Sequence, residues 1–374
     1  MRLRLIRHGE TEYNKEKRYQ GQLDIPLSPE GIEGLLPAGK ACMPEKVYTT
    51  HLSRAAQTAQ IIFPGVPQTV VKELAEMNFG EFEGKSYAQM EENAAYWEWV
   101  DSGGESRIPG GESRDEFVNR IAGALIRLVA EAEKAGEKEL CIVAHGGTVM
   151  AAQYYFEKEF PGCYHEWLTE NGGGYEIECG TEGDTLRWRT LKRISYAKGA
   201  CRTHLYFGEG RGKSSICSGT ALRALAAGRE VHILRFCKAA GSGEDEMLSK
   251  LGAKLYYGED TAVMPSALDE QGKKKVRKHQ NEQLWQIMDE LRNNKTELGR
   301  MLILDEACAA VEYGLLDEAF LKKAVLWRPA RLELMLSGRN PSPWMKDAAD
   351  YLTELNCLRH PYEEGIDGRK GIEW

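Results

Sequence analysis

The sequence predicts an α/β protein with two domains. At 374 residues the chain is long for a single hydrophobic core, so two domains are the natural expectation. Apolar strand-like segments alternate with amphipathic helical segments in the first half, and a second alternation of the same kind begins near residue 203. Strands that alternate with helices form mostly parallel sheets with helices on both faces.

The first half shows strand and helix patterns that end in polar or glycine-rich turns. The helix pattern over 114–136 has apolar residues at helical spacing and closes on a glycine. The segment 174–191 alternates around a Gly-Asp turn, which predicts a hairpin. The remaining predicted elements are strands over 3–8, 46–50 and 139–147 and a helix over 53–62.

A polar, basic segment without clear periodicity separates the two alternating patterns. We place the first domain at 1–194, a linker at 195–202 and the second domain at 203–374. After the linker the sequence predicts a helix over 214–228 and strands over 203–207, 230–236, 300–307 and 331–339.

Composition and charge exclude several classes of protein. The net charge of -8 and the pI of about 5.7 argue against nucleic-acid binding, which needs a basic surface. The first residues lack the apolar region of a signal peptide, and no segment has the length of a membrane span. Nine scattered cysteines without a C-x-x-C pair are typical of reduced thiols, so a cytoplasmic location is expected.

Five residues suited to phosphoryl transfer lie close to the ends of predicted strands. Arg7 and His8 follow the first strand and His145 follows a later one, whereas Arg54 lies at a helix start beside the second strand and Glu76 in a glycine-bounded loop. Open α/β sheets bind ligands at the carboxyl ends of their strands. A neutral imidazole can attack phosphorus, cations can hold the phosphoryl oxygens, and a carboxylic acid can protonate the leaving alkoxide.

The motifs around these residues resemble the histidine phosphatases of the phosphoglycerate-mutase superfamily. They are LIRHGET, Asn14, LSRAAQT, EMNFGEFEG, PGGES and VAHGG, and they cover residues 1 to about 194. The resemblance implies an α/β sandwich in which His8 is the phosphorylated nucleophile and Glu76 the proton donor. It implies that Arg7, Asn14, Arg54 and His145 bind the phosphate. The motif LAEMNFGEFEG looks most like α-ribazole phosphatases, which remove a 5′-phosphate in cobalamin assembly.

A glycine-rich loop joins the first strand and helix of the second domain. Gly208, Gly210 and Gly212 would let successive backbone N–H groups face one anion at a helix N-terminus. Lys213 could then reach terminal phosphates, and the Ser214 hydroxyl could ligate Mg²⁺. The usual first glycine of a P-loop is missing, because Phe207 occupies its position. An apolar strand that ends in Asp305 and Glu306 supplies the acidic group that such sites need.

Residues from about 203 to 374 resemble ATP:corrinoid adenosyltransferases of the P-loop type, whose loop lacks that earlier glycine. The matching segments are GEGRGKSS, ALRALAAGREVHILRFCK, LILDEACAAVEYGLLD, LSGRNP and the terminal HPYEEGIDGRKGIEW. The resemblance implies that a Co(I) corrinoid attacks the 5′-carbon of ATP and that triphosphate leaves. It implies that Mg²⁺ or Mn²⁺ is held by Ser214 with Asp305 or Glu306. The implied ATP-binding residues are Gly208, Glu209, Gly210, Arg211, Gly212, Lys213, Ser214, Ser215 and Arg339.

One segment departs from the adenosyltransferase pattern. Many of these enzymes carry aromatic residues over the corrinoid before the long middle helix, whereas this chain has Val263, Met264 and Pro265 there. Tyr256 or Tyr257 could supply the missing aromatic ring, or both could be core residues. Activation of the cobalt could therefore differ in this protein.

Both resemblances lead to one pathway, so we predict a bifunctional enzyme of cobalamin biosynthesis. Its substrates would be a corrinoid, ATP and a phosphomonoester, with a corrinoid reductase or flavoprotein as reductant and a homodimer as assembly. Two alternatives stay open. The first is a sugar-bisphosphate kinase/phosphatase, although that fusion has its kinase first. The second is a corrinoid- or ATP-binding carrier with an inactive transferase half.

Overall fold

The computed structural model describes residues 1–159, 162–237, 243–257, 268–293, 299–361, 365–366 and 369. The chain divides into two compact units, Met1–Ala200 and Cys201–Trp374. Each unit contains its own six-stranded sheet with helices packed against it. The predicted α/β class with two sheets is therefore confirmed.

The first unit has a sheet of order β3-β2-β4-β1-β5-β6. The central pairs are parallel, whereas β5 runs antiparallel to both β1 and β6. Buried side chains, all of them apolar except that of Arg4, fill β1 and β4, as expected for strands that are covered on both faces. The strands are β1 (Arg2–Arg7), β2 (Val47–Thr49), β3 (Gln68–Val70), β4 (Glu139–Ala144), β5 (Gly173–Glu182) and β6 (Thr185–Ser195).

The helices of the first unit surround this sheet. The longest, α5, begins with a capping box formed by Ser113 and Glu116, and it buries one apolar face. The helices are α1 (Glu12–Lys15), α2 (Pro29–Glu33), α3 (Ser53–Ile62), α4 (Ala94–Asp101), α5 (Arg114–Lys134) and α6 (Gly146–Phe156).

The second unit has an entirely parallel sheet of order β12-β7-β11-β10-β8-β9. Its central strand β10 is buried along its whole length between β11 and β8. The strands are β7 (Thr203–Phe207), β8 (Glu230–Arg235), β9 (Lys254–Tyr257), β10 (Arg300–Asp305), β11 (Leu332–Gly338) and β12 (Tyr351–Glu354).

Helices of the second unit supply the apolar side chains that cover this sheet. From α9, Leu284, Ile287 and Leu291 pack in one cluster with Leu302 and Leu304 of β10. The helices are α7 (Lys213–Ala226), α8 (Gly243–Lys250), α9 (Glu270–Asn293), α10 (Ala307–Glu312), α11 (Glu318–Leu326) and α12 (Pro343–Ala348). Among the described residues, no helix is both long enough and apolar enough to cross a membrane.

Three strands were not predicted from the sequence. β3 has three residues, all exposed, and every residue of β12 is exposed, so neither carries an apolar run. The third, β9, has four residues. In addition, β6 continues to Ser195, past the predicted hairpin end at 191, because β5 pairs with it that far.

Candidate active sites

The first site lies where β1 and β4 end side by side. The two strands are parallel and pair Arg7 with Ala144, so the residues that follow each strand become neighbours. Those residues are His8 and His145, whose ring centroids are 5.4 Å apart. Both side chains are buried, at 3% and 0% exposure. The sheet register therefore brings together two histidines that are far apart in the sequence.

A cavity of about 290 Å³ opens in front of these strand ends. Five of the six residues predicted for the phosphatase site line it, namely Arg7, His8, Asn14, Arg54 and Glu76. His145 is not part of the cavity wall and lies beside the ring of His8. The structure thus brings the predicted residues to one pocket.

The hydrogen bonds of His8 define which ring nitrogen is available for attack. Its Nδ1 lies 2.6 Å from the carbonyl oxygen of Gly9, which can only accept, so Nδ1 carries the proton. The other nitrogen, Nε2, therefore has a free lone pair. Burial and the nearby charges of Arg54 and Arg7 lower the pKa of His8 well below 6.5. A neutral imidazole at pH 7 is a competent nucleophile.

His145 is held as a neutral ring by the same environment. Burial, Arg54 and His8 lower its pKa well below 6.5. Its Nε2 lies 2.9 Å from the Thr50 hydroxyl, which accepts the Leu52 N–H at 3.3 Å. If Thr50 donates its own proton to Nε2, the ring proton lies on Nδ1, a buried atom without a partner in the described part of the chain. In that tautomer His145 keeps one N–H donor that no described residue uses.

Two buried guanidinium groups supply the positive charge of the pocket. Arg54 donates to the carbonyl oxygens of Leu23 and Gly21, each at 2.7 Å. Arg7 donates to the carbonyl oxygen of Thr169 at 2.6 Å. The buried Nε atoms of both arginines have no partner among the described residues. Burial lowers the pKa of Arg54 to about 10, so it stays charged at neutral pH. Anionic oxygens would satisfy these donors.

Glu76 lines the same pocket, and its side chain is hydrogen-bonded to the backbone. Its two carboxylate oxygens accept the N–H groups of Met77 at 2.9 Å and Gly147 at 3.0 Å. Behind it, Arg120 donates to the Glu76 carbonyl at 3.2 Å and pairs with Glu112 at 2.8 Å. Arg120 and Glu112 therefore position the loop, a role that sequence reasoning missed although Glu112 belongs to the PGGES motif.

Asn14 is oriented by three hydrogen bonds to its side-chain oxygen. The donors are the backbone N–H and the hydroxyl of Thr11, each at 3.1 Å, and the amide of Asn171 at 3.2 Å. The Asn14 amide nitrogen is therefore the side-chain group that can donate to an anion in the cavity.

The second site surrounds the loop between β7 and α7. Gly208 and Gly212 have φ angles of 106° and 109°, which glycine adopts without strain. Lys213 is buried, and its Nζ donates to the carbonyl oxygens of Gly208 at 2.6 Å and Gly210 at 2.9 Å. The lysine thus folds back onto the loop that precedes it.

The backbone of this loop differs from the sequence expectation that three glycine N–H groups face one anion. The Gly208 N–H donates to the Arg339 carbonyl at 3.1 Å, and the Gly210 N–H donates to the Leu355 carbonyl at 2.7 Å. A Cβ at Gly208 would lie 2.5 Å from the Leu355 oxygen. The expectation is wrong for these two amides, because Arg339, just after β11, accepts the first hydrogen bond and Leu355, just after β12, accepts the second.

Asp305 ends β10 inside a buried charge network. Its carboxylate accepts from Arg235 at 2.7 Å and from the Ser337 hydroxyl at 2.6 Å, and it is 0% exposed. Arg235 also pairs with the buried Asp245, and these carboxylates raise the pKa of Arg235 although burial opposes them. Neither Arg235 nor Asp245 was predicted, although an arginine in the apolar strand HILRF signals a buried carboxylate partner.

Ser214, Asp305 and Glu306 carry oxygen atoms of the kind that Mg²⁺ prefers. The carboxylate of Asp305, however, already accepts a hydrogen bond from Arg235. Glu306 has a left-handed φ of 61°, and its N–H donates to Ser337 at 3.0 Å. Mg²⁺ binding by these three residues stays a prediction.

The remaining predicted nucleotide contacts lie at the surface of the loop. Arg339 forms an ion pair with Glu209 at 3.3 Å, with both side chains more than half exposed. Arg211 and Ser215 are exposed and Ser214 is half-buried. Val263, Met264 and Pro265, and most of the terminal motif 360–374, lie outside the described residues.

Tyr256 and Tyr257 belong to the described part of the chain, and both make hydrogen bonds there. Their hydroxyl groups bond to His232 at 3.1 Å and to Asp245 at 2.8 Å. Tyr256 also packs against the apolar core of the second unit.

These two sites define the class of the protein. A pocket lined by a neutral histidine and two buried arginines, with a second neutral histidine beside the first, is suited to transfer of a phosphoryl group to histidine. A glycine loop with a lysine, placed between a strand and a helix, is suited to a nucleotide triphosphate. The chain therefore combines a phosphoryl-transfer domain with a P-loop-like domain.

Comparison with known families agrees with this class. The chain belongs to the histidine phosphatase superfamily (branch 1), whose model matches residues 3–191. Residues 200–374 match the family described as ATP:corrinoid adenosyltransferase BtuR/CobO/CobP. The chain therefore joins a phosphatase domain to a corrinoid adenosyltransferase domain.

Individual relatives match one half of the chain each. A broad-specificity phosphatase of Saccharomyces cerevisiae is 33% identical over 160 residues, which is 40% of this chain and 67% of that protein. A corrinoid adenosyltransferase of Pseudomonas aeruginosa is 29% identical over 172 residues, 46% of this chain and 82% of that protein. Among solved structures, the α-ribazole phosphatase of Shigella flexneri is 26% identical with a TM-score of 0.42, covering 51% of this chain and 95% of that one.

The hydrogen bond between Glu76 and Gly147 leads to a test of the first site. A Cβ at residue 147 would lie 2.0 Å from a Glu76 carboxylate oxygen. Gly147→Ala must therefore displace Glu76, and we expect kcat with p-nitrophenyl phosphate to fall about 10²-fold, as misplacement by about 1 Å can cause. Gly123→Ala is the control, because its Cβ would meet nothing closer than 3.9 Å. Full activity of Gly147→Ala would contradict this geometry.

The buried network around Arg235 leads to a test of the second site. Removing one partner of a buried ion pair leaves the other charge uncompensated, so Arg235→Met should lower the free energy of unfolding of the second unit by about 3–5 kcal/mol. The exposed pair of Arg339 and Glu209 supplies the control, since Arg339→Met should cost about 0–1 kcal/mol. Chemical denaturation of both variants measures the difference, and equal losses would argue against the network.

Proposed function

We propose that this protein is a bifunctional enzyme of cobalamin biosynthesis. The observation that carries the proposal is the pairing, in one chain, of a histidine phosphatase match with a corrinoid adenosyltransferase match. The first activity would remove phosphate from an intermediate that carries the lower nucleotide, and the second would attach an adenosyl group to the corrinoid.

In the proposed phosphatase reaction, His8 Nε2 attacks phosphorus while the bond to the substrate alcohol breaks. Arg7, Arg54 and His145 hold the phosphoryl oxygens, and Glu76 gives its proton to the leaving alkoxide. Glu76 then takes a proton from water, which attacks the phosphohistidine and releases phosphate. The buried Nε atoms of both arginines, which lack partners among the described residues, support this assignment.

The proposed substrate of this step is α-ribazole 5′-phosphate or adenosylcobalamin 5′-phosphate. Support comes from the resemblance of the loop around Glu76 to α-ribazole phosphatases and from the adenosyltransferase match in the same chain. Both candidate substrates have a ribose 5′-oxygen as the leaving group, so Glu76 would protonate the same kind of oxygen in each.

In the proposed transferase reaction, the Co(I) centre of a corrinoid gives its electron pair to the 5′-carbon of ATP. The cobalt–carbon bond forms as the bond from that carbon to the triphosphate oxygen breaks, and triphosphate leaves with the bonding electrons. Lys213 and the loop from Gly208 to Ser215 would hold the triphosphate, and Arg339 would contact the nucleotide. Mg²⁺ or Mn²⁺ would supply further positive charge, held by Ser214 with Asp305 or Glu306.

The same proposal includes further expectations about the cellular setting. A Co(I) corrinoid requires a reductant, so a corrinoid reductase or flavoprotein is the expected partner. We also propose a homodimer and a cytoplasmic location, the latter from the scattered free cysteines.

Single substitutions in the two sites should separate the two activities. His8→Ala should abolish phosphate release from α-ribazole 5′-phosphate and leave adenosylation unchanged.

Lys213→Ala should lower the rate of triphosphate release from ATP and reduced corrinoid about 10²- to 10³-fold, as loss of a charge-stabilising donor does. It should leave the phosphatase unchanged. Activities are followed by phosphate release and by the visible spectrum of the cobalt–carbon bond.

Three outcomes would contradict this proposal. Release of ADP in the presence of fructose 6-phosphate would identify a sugar kinase. Cobalamin binding without a cobalt–carbon bond would indicate a carrier. Full phosphatase activity of His8→Ala would show that another residue is the nucleophile.

A further inference from the structure

Besides the phosphate-binding residues, an apolar and aromatic wall lines the cavity of the first unit. Tyr19, Phe79 and Trp99 line this part of the cavity. The thioethers of Met77 and Met150 and the side chain of Leu168 also line it. A phosphate bound next to His8 would leave its alcohol portion against this wall.

The three rings belong to a packed aromatic cluster that fixes their positions. Tyr19 lies 5.1 Å from Phe79 and 5.7 Å from Trp99 between ring centroids, and Phe79 lies 6.2 Å from Trp99. These distances are within the range of favourable aromatic pairs. The Tyr19 hydroxyl bonds to the Tyr96 hydroxyl at 3.0 Å, so Tyr19 contributes its ring to the cavity while its hydroxyl is used elsewhere.

Trp99 has an indole donor left unpaired by the described residues and lies beside Gly104. Its indole Nε1 is buried and has no hydrogen-bond partner in the described part of the chain. Gly104 lines the same cavity, and a Cβ there would lie 3.4 Å from the indole ring. A larger residue at 104 would therefore crowd the ring.

The other cations that line the cavity are already paired, so a second anionic group has little to bind. Arg114 donates to Glu105 at 3.0 Å and to the Gly103 carbonyl, and it lies 5.1 Å from the ring of Tyr164. Arg18 pairs with Glu16 and donates to the Gly84 carbonyl at 2.7 Å and to Gln89 at 2.9 Å. A carboxylate or a second phosphate on the substrate would have to displace these partners.

We infer that Tyr19, Phe79 and Trp99 form a subsite for a planar, uncharged ring carried by the leaving alcohol. Because the three rings lie at 53° to 89° to one another, one of them stacks on that ring and the others pack against its edge. This subsite selects base-bearing nucleoside 5′-phosphates over small phosphate esters that carry a second negative charge. The inference rests on the proposed phosphatase activity and adds to it the residues that choose the substrate. Stacking of a base on aromatic side chains is tolerant of base identity, since every base presents a π-face.

Two substrates that share one leaving group test this subsite. Inosine 5′-phosphate and ribose 5-phosphate both release a ribose 5′-oxygen and differ in the base. For the full-length protein we expect kcat/KM to be roughly 5- to 150-fold higher for inosine 5′-phosphate, the range that stacking of one base provides. 3-Phosphoglycerate, which carries a carboxylate, should be a poorer substrate than inosine 5′-phosphate.

Substitutions on one helix supply the matched variants. In Trp99→Leu the preference for the base-bearing substrate should fall close to one, while kcat/KM for ribose 5-phosphate stays within about 2-fold because the phosphate pocket is intact. Trp97→Leu is the control, because Trp97 lies on α4 as well but is not part of the cavity wall and donates its Nε1–H to Glu91 at 2.7 Å. Phe79→Leu repeats the test if Trp99→Leu does not fold.

The possible failures are distinguishable. Equal kcat/KM for the two ribose esters, a preference for 3-phosphoglycerate, or equal losses with both esters in Trp99→Leu would overturn the subsite. In those cases a phosphohistidine on His8 would still support the proposed phosphatase. Absence of any phosphate release from every ester tested would overturn the phosphatase and the subsite together.

Discussion

Burial of positive charge that is only partly hydrogen-bonded is the constraint on which the first site depends. The parallel pairing of β1 with β4 places His8 beside His145, close to the charges of Arg7 and Arg54. Taking a guanidinium out of water costs several kcal/mol unless its donors are satisfied. Carbonyl oxygens satisfy part of each arginine, and a phosphoryl group would complete both. Burial, and after it the charge of Arg54, lowers the pKa of both histidines, so a buried cation that would hold a phosphate also favours the neutral nucleophile.

In the second unit, by contrast, protein groups already pair with the buried positive charges. Arg235 is neutralised by Asp245 and Asp305, and Lys213 is satisfied by carbonyl oxygens of its own loop. We therefore expect triphosphate binding there to exchange the carbonyl partners of Lys213 for phosphate oxygens. The segment around Leu355 holds the loop backbone, so the position of this segment and the shape of the loop are coupled.

The sequence predicted what depends on local pattern and failed where distant segments meet. The strands that precede His8 and His145 were recognisable because apolar runs led directly into polar motifs. The roles of Arg120 and Arg235 were missed, because each depends on partners that only the tertiary structure brings near. The glycines near Leu355 were interpreted as anion-binding, since no local signal shows that another segment accepts their N–H bonds. Exposed β12 lacks the apolar alternation that identifies a strand.

The measurement that tests this account most directly is an NMR titration of the His8 imidazole in the full chain, assigned with His8→Gln. We predict a midpoint well below 6.5, with the proton of the neutral ring on Nδ1. An unfolded histidine titrates at about 6.5. Below that pH the unfolded chain therefore binds more protons than the folded chain, and the first unit should lose stability as the pH falls. A midpoint at or above 6.5, or a neutral ring protonated on Nε2, would contradict the account.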